Sequence, residues 1–341
     1  MISRYLVTGA QGFLGRYVIA ALLRSDPKAM VLGVGRSARE DTLFTHTIRW
    51  IDEEIAAPVP REVCDHLNDK RYEYQTVDVG QMQAVAAAAT AFRPDVVLHL
   101  AASLRDESWS RLIENNIRPA LALVEGLAAA GLRPRVVFGS TGSVYGQPDG
   151  GAAPFNERSN CRPLDPYAAS KRAAEDIGRV AGMRYGLNVV AARLFNLVGP
   201  GLQERHLCAA LARQIVLIER DQVEPAIRVG PLTASRDFID VRDAARALLL
   251  LASLDEPYEI YNVGSGVARV SAEVLTALVD HSNFRAEMTI DPQPGRAADS
   301  PHLAGDITRL RALGFVPAFS FAGSLGDMLD YYRSLPSRTP R

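Results

Sequence analysis

"TGAQGFLG", residues 8–15, follows the apolar run Tyr5-Leu6-Val7 and spaces Gly9, Gly12 and Gly15 three residues apart. Such a stretch is either a turn that brings the backbone close to a phosphate or a plain glycine-rich turn, and the pattern alone does not separate the two. Its surroundings do. Residues 4–7 read as a short buried strand, and Phe13, Val18 and Leu22 recur at helical spacing through residues 12–24. A glycine turn between a strand and a helix offers amide N–H groups and the positive end of a helix dipole to an anion.

Further along the chain the same alternation continues. Strands are expected at 30–34, 73–77, 96–100, 135–138 and 188–194, with helices at 82–92, 112–130 and 168–185. These strands are apolar throughout, as in a parallel sheet covered on both faces. The expected fold is therefore α/β, a doubly wound parallel sheet of the Rossmann type over residues 1–195, with a return at 236–262. Past residue 196 Pro and Gly recur between helices near 206–219, 241–252 and 271–280. Residues 196–335 thus read mainly as a smaller C-terminal substrate-binding domain. The polar segment 40–72 reads as an excursion between strands, and with the loop "LQERHL" at 202–207 it is expected to shape the pocket. The closing "PSRTPR" is expected to be disordered.

Charge and cysteine usage exclude several function classes. With 38 Lys and Arg against 39 Asp and Glu, the net charge of −1 leaves no footprint for nucleic acid or an anionic membrane. Cys64, Cys161 and Cys208 lie far apart, and the six histidines are scattered, so no metal site is expected. The longest apolar stretches are too short to span a bilayer. A cytoplasmic protein in a reducing compartment is the expectation.

Two further stretches carry chemistry. In "DPYAASKRAAED", Tyr167 and Lys171 are four residues apart, on one face of a helix opening at Pro166. A phenol titrates near 10, and a Lys ammonium one turn away stabilises its anion, which suits it to acid–base work. An exposed helix carrying an ordinary Tyr and Lys gives the same pattern. In "VVFGSTGSVYG", residues 136–146, a strand ends in Ser140, Thr141 and Ser143. A hydroxyl at the carboxyl end of a central strand can hydrogen-bond a substrate oxygen as it gains or loses a proton.

Taken together, these stretches resemble the extended short-chain dehydrogenase/reductase family, in its nucleotide-sugar branch. "HLAA" at 99–102, "RLFNLVGPG" at 193–201, "RDFIDVRD" at 236–243 and "YNVGSG" at 261–266 match as well, and the resemblance covers residues 3–333. It implies Tyr167 as acid–base, Thr141 as its hydroxyl partner, and Lys171 as the cation that lowers the phenol pKa and holds the cofactor ribose. It also implies cofactor contacts from Gly9, Gln11, Gly12, Phe13, Leu14 and Gly15, and from Leu100, Ala101, Ala102, Asn116 and Leu194. Asp78 and Val79 would meet the adenine. A homodimer through the helices at 112–130 and 168–185 is implied too. One departure stands out: where the family has Asn-x-x-Gly-Thr, this chain has Asn116 followed by Pro119-Ala120, which puts the local helix geometry in question.

For the cofactor, the end of the second strand decides. NAD-binding members carry an acid there that accepts from the adenine ribose. This chain has Gly35, then Arg36 and Ser37. A guanidinium can bind a 2′-phosphate bidentately, which favours NADP(H); with Arg36 stacked on adenine, NAD(H) remains possible. Dehydratases of the family it resembles place an Asp and a Glu directly after the catalytic Thr, to remove the C5 proton and expel the C6 hydroxyl; here those positions are Gly142 and Ser143, which speaks against dehydration. That leaves reduction of a keto-sugar or C4 epimerisation. The chain looks most like GDP-4-keto-6-deoxymannose reductases, which implies Ser103, Ser143 and Asn196 at the substrate and Arg236 and Arg296 on its diphosphate. A 4-epimerase holding NAD tightly is the alternative.

Overall fold

The computed structural model describes residues 3–336, apart from 51–52, 104, 106, 149–153, 256–257, 284–288 and 293–300. In chain order the strands that matter are β1 (Arg4–Thr8), β2 (Met30–Gly35), β3 (Leu43–Trp50), β4 (Glu53–Pro58), β5 (Tyr72–Thr76) and β6 (Val96–His99). They continue as β7 (Arg135–Thr141), β8 (Asn188–Leu194), β9 (Asn196–Val198), β10 (Ala226–Val229), β11 (Ser235–Asp240) and β12 (Glu259–Val263). The helices between them are α1 (Phe13–Ser25), α2 (Arg61–Leu67), α3 (Met82–Phe92), α4 (Trp109–Leu112), α5 (Arg118–Ala129), α6 (Pro166–Tyr185), α7 (Leu207–Glu219) and α8 (Val241–Ala252).

Seven strands form one sheet in the order β12-β8-β7-β6-β1-β2-β5, every neighbour parallel. Successive side chains of a strand point to opposite faces. Val7, Val31, Leu98, Val137 and Val190 accordingly enter the core under α1 and α8, and Leu6, Leu32, Val97, Val136 and Val189 the core under α3, α5 and α6. Two buried faces explain why these strands read as unbroken apolar runs. Strand order reverses between β1 and β6, and the carboxyl ends of the strands there are where ligands bind in such sheets. Thr8 closes that point: its Oγ1 lies 2.9 Å from His99 Nδ1 and accepts from the amides of Leu100 and Ala101 at 3.2 Å.

The excursion is an antiparallel hairpin, β3 with β4, followed by α2. Phe44, Ile48 and Trp50 alternate inward and are buried in the main core, and the Trp50 ring stacks on Tyr332 of the C-terminal helix. The residues around Pro119 also depart from a regular helix. Ile113–Ile117 form a π-helical turn between α4 and α5, with Arg118 N–H donating to the Ile113 carbonyl. Proline has no N–H to continue the α ladder, and a wider turn absorbs the mismatch.

Candidate functional site

The glycine turn is held by contacts only glycine permits. Gly9 has φ of +70°, and a Cβ on Gly15 would lie 2.2 Å from the Gly9 carbonyl oxygen. Gly12 caps α1 without any side-chain hydrogen bond, and no acidic residue occupies the first helical turn. The amides at this helix start therefore face a cavity of about 690 Å³ with neither protein anion nor cap against them. A phosphate fits such a cradle.

Cofactor and catalytic candidates converge on that cavity: Gly9, Gly12, Phe13, Leu14, Gly15, Leu100, Ala102, Thr141, Tyr167, Lys171 and Leu194 all line it. Ser143, Asn196 and Arg236 line it as well. Asn196 Nδ2 donates to the Asp237 carbonyl at 3.3 Å, and Arg236 Nη1 to the Ser235 carbonyl at 2.8 Å.

Other candidates do not line the cavity: Gln11, Val79 and Asn116 are buried, while Arg36 and Asp78 are exposed. Gln11 is buried, with Nε2 donating to Ser37 Oγ (2.8 Å) and the Ala38 carbonyl (2.7 Å), so its side chain ties the turn to the loop after β2. Arg36 leaves the end of β2 and donates to Asn115 Oδ1 at 2.9 Å. Asp78 Oδ1 accepts from Gly80 N at 3.0 Å, with Val79 buried beside it. Ala101 packs against the core under α5, and the Ser103 amide donates to Asn116 Oδ1 at 2.7 Å. Asn116 is buried and its Nδ2 donates to Ser170 Oγ on α6 at 2.8 Å. The π-helical turn thus turns two adjacent asparagines to the site, Asn115 toward Arg36 and Ser103, Asn116 toward α6. Arg296 lies outside the described residues.

At the reacting end, burial disfavours the charged form of both Tyr167 and Lys171. It pushes the Tyr167 phenol up to about 12, against the opposing pull of the Arg105 guanidinium; the Asp165 carboxylate adds to the rise and a hydrogen bond with Thr141 lowers it. Burial brings Lys171 down to about 8, partly offset by the Glu175 carboxylate. Glu175 is itself saturated: Arg193 holds it at 2.9 and 2.8 Å, and Ser140 Oγ donates at 2.6 Å. At neutral pH the phenol is protonated, Lys171 is largely charged, and Thr141 stands beside them.

The far wall comes from residues the motifs did not reveal. Thr45 and His46 of β3 line the cavity, together with Leu202, Gln203, Arg205, His206 and Leu207. Hydrogen bonds join the two segments: His46 Nε2 with the Gly201 carbonyl (2.9 Å), Gln203 Nε2 to the Thr47 carbonyl (2.9 Å) and Arg49 N–H to Glu204 Oε1 (3.0 Å), while Thr45 N–H donates to the Gln11 carbonyl of the glycine turn (3.2 Å). Phe44 fills the space a Cβ on Gly201 would take. Among the described residues no group of three or more His, Cys, Asp or Glu could hold a metal, and no helix is long and apolar enough to cross a membrane.

Residues 5–264 match the NAD dependent epimerase/dehydratase family. The chain belongs to that family. GDP-6-deoxy-D-mannose reductase of Pseudomonas aeruginosa is 34% identical over 248 residues, 71% of this chain and 81% of that protein. The solved structure of RMD from Pseudomonas aeruginosa complexed with NADPH has a TM-score of 0.80 at 28% identity, covering 97% of this chain and 99% of that one. UDP-glucose 4-epimerase of Thermus thermophilus in complex with NAD gives 0.78 at 28% identity over the same shares. As a family member the chain is an NAD(P)-dependent oxidoreductase or epimerase of the extended short-chain dehydrogenase/reductase type, in the branch acting on nucleotide sugars.

Proposed function

We propose that the protein is an NADP(H)-dependent 4-ketoreductase of a nucleotide-activated keto-deoxyhexose, with GDP the favoured nucleotide. The observation that carries this is the end of β2, where Gly35-Arg36-Ser37 stands in place of an acid. A carboxylate there would repel a 2′-phosphate, whereas Arg36 with Ser37 can hold it. The relation to GDP-6-deoxy-D-mannose reductase supports the substrate class.

In this reading residues 1–195, with the return at 236–262, hold the dinucleotide and residues 196–335 most of the sugar nucleotide; the shared cavity supports the division. The amides of Gly9 to Gly15 would hold the pyrophosphate, Asp78 and Val79 the adenine, and Lys171 and Asn116 the nicotinamide end. The reduced cofactor supplies hydride to C4 of the sugar. Tyr167 gives its proton to the C4 oxygen, and Thr141 donates a hydrogen bond to the same oxygen. A phenol kept protonated by burial is suited to giving a proton while the nicotinamide is neutral. Ser143, Asn196 and Arg236, which line the cavity, face the substrate.

A second reading, a 4-epimerase retaining NAD, draws support from the likeness to the Thermus thermophilus enzyme. One set of assays separates them. GDP-4-keto-6-deoxymannose should consume NADPH faster than NADH, and Arg36→Ala should cut the NADPH preference by ~10- to 150-fold, the worth of one charge-assisted contact of ~1.5–3 kcal/mol. Arg236→Ala should raise KM for the sugar nucleotide and leave cofactor affinity unchanged. NAD retained through purification, with hexose 4-epimers interconverting and no net cofactor consumption, overturns the reductase.

A homodimer through α4, α5 and α6 is also proposed. Trp109, Ile113, Leu121, Val180 and Met183 are exposed on these helices, Met183 by 71%. Large apolar groups clustered on adjacent helices mark an association surface. Sedimentation at micromolar concentration should give a dimer; a monomer there removes the proposal.

A further inference from the structure

Arg105 follows β6 in a stretch without motif, yet it reaches the centre of the cavity. Its Nη2 lies 2.9 Å from Asp165 Oδ2 and donates to Ser143 Oγ at 3.1 Å. Asp165 is buried and caps α6, with Oδ1 accepting from Ala168 N at 2.8 Å. Tyr167 is the second residue of that helix. Ser143 in turn donates its amide to Thr141 Oγ1 at 3.2 Å. One guanidinium therefore bridges the start of α6 and the turn after β7, the two elements that carry Tyr167 and Thr141.

We propose that Arg105 is a positioning residue for Tyr167, fixing the α6 cap against Ser143 and, as half of an ion pair, setting how readily the phenol ionises. The inference rests on Tyr167 being the acid–base of the site.

The groups facing the phenol are few. Arg105 comes from the loop after β6, Asp165 from the helix cap and Thr141 from β7, while Lys171 sits one turn further along α6. Glu175 acts on Lys171, and the Lys171 charge in turn helps to lower the buried His99. Lys171 loses its charge in mild alkali, with a pKa of about 8, whereas a guanidinium keeps its charge at every accessible pH. Arg105 is thus a lasting cation beside Tyr167, paired with the Asp165 carboxylate. They pull the phenol in opposite directions, and that gives the inference a signature that a merely structural bridge lacks.

The test uses the full chain with oxidised dinucleotide bound, whose positive charge brings the phenol into an accessible range. Tyrosinate absorbance of each protein is measured against the same protein carrying Tyr167→Phe, so that one phenol is read. Arg105→Gln should raise the Tyr167 pKa and Asp165→Asn should lower it, each by about one pH unit. Asparagine caps a helix as well as aspartate does, so the second variant keeps the fold if the first does not. Arg105→Lys should return the pKa most of the way toward wild type. The alkaline limb of kcat/KM should move with the spectra. Shifts of the same sign in Arg105→Gln and Asp165→Asn, or no shift in Asp165→Asn, overturn the inference. Normal turnover in Tyr167→Phe with the spectral shifts intact would instead reject the acid–base reading and leave the electrostatic coupling standing.

Discussion

The cavity has two walls of different construction. One is the end of the parallel sheet: the glycine turn after β1, Thr141 at the end of β7, and Tyr167 and Lys171 on the helix that follows. Its residues come from short motifs, and backbone packing fixes them. The other is the hairpin β3–β4 and the loop 201–207, joined by three hydrogen bonds and by Phe44 against Gly201. No motif specifies that wall. It exists because two segments more than 150 positions apart meet. A wall built from loop segments can change without moving the motif residues of the sheet wall, so substrate choice can be varied there without disturbing the chemistry.

The comparison breaks most directly at Tyr167. If the chemistry belongs to the sheet wall, Tyr167→Phe keeps the ring and its packing, loses the proton, and lowers turnover by ~10²–10⁴-fold. Cofactor affinity should stay within about two-fold of wild type, because the glycine turn and Lys171 are untouched. Steady-state rates together with a cofactor titration read both quantities. Turnover within a few-fold of wild type moves the chemistry elsewhere in the cavity.

How far each wall could be read in the sequence follows from its construction. The glycine spacing, the Tyr-to-Lys spacing and the strand-end hydroxyls are local, so the sequence carries them in full, and the parallel sheet follows from the alternation of apolar strands with helices, though its strand order does not. Pro119 flagged a disturbed helix, but not that the disturbance would be a π-helical turn aiming Asn115 at Arg36. Gln11 matched the motif and proved to be buried, bound to Ser37 and Ala38, since residues in a glycine turn alternate between facing the ligand and anchoring the loop. Arg105 gave no signal, because its meaning lies in Ser143 and Asp165, 38 and 60 positions away. The hairpin did have one: Phe44, His46, Ile48 and Trp50 alternate with Thr45, Thr47 and Arg49 at the period of a half-buried strand. Its polar flanks and prolines masked that alternation.

The smallest expected effect concerns how firmly the second wall is closed. Burial brings His46 down to about 4 from an ordinary 6.5, while its Nε2 stays at the Gly201 carbonyl. The neutral ring donates there without difficulty; a protonated ring keeps the donor but must carry a charge among Phe44 and Arg205. Between pH 6.5 and 4 the unfolded chain binds this proton and the folded chain does not. Stability contributed by the neutral, docked His46 is therefore complete above about pH 6.5 and is lost progressively toward pH 4. Taken at face value such a shift corresponds to at most about 3 kcal/mol, and partial exposure at the cavity rim reduces it to about 1 kcal/mol. His99, brought down to about 3 under the sheet wall, loses stability in the same direction, so the wild type alone does not isolate the hairpin. His46→Gln does: the amide can still donate to Gly201 and has nothing to titrate. Melting temperatures of the two proteins should agree near neutral pH and diverge by a few degrees near pH 5, with the variant higher. Parallel pH profiles would mean that His46 is solvated in both states and that the hairpin closes the cavity without help from its histidine.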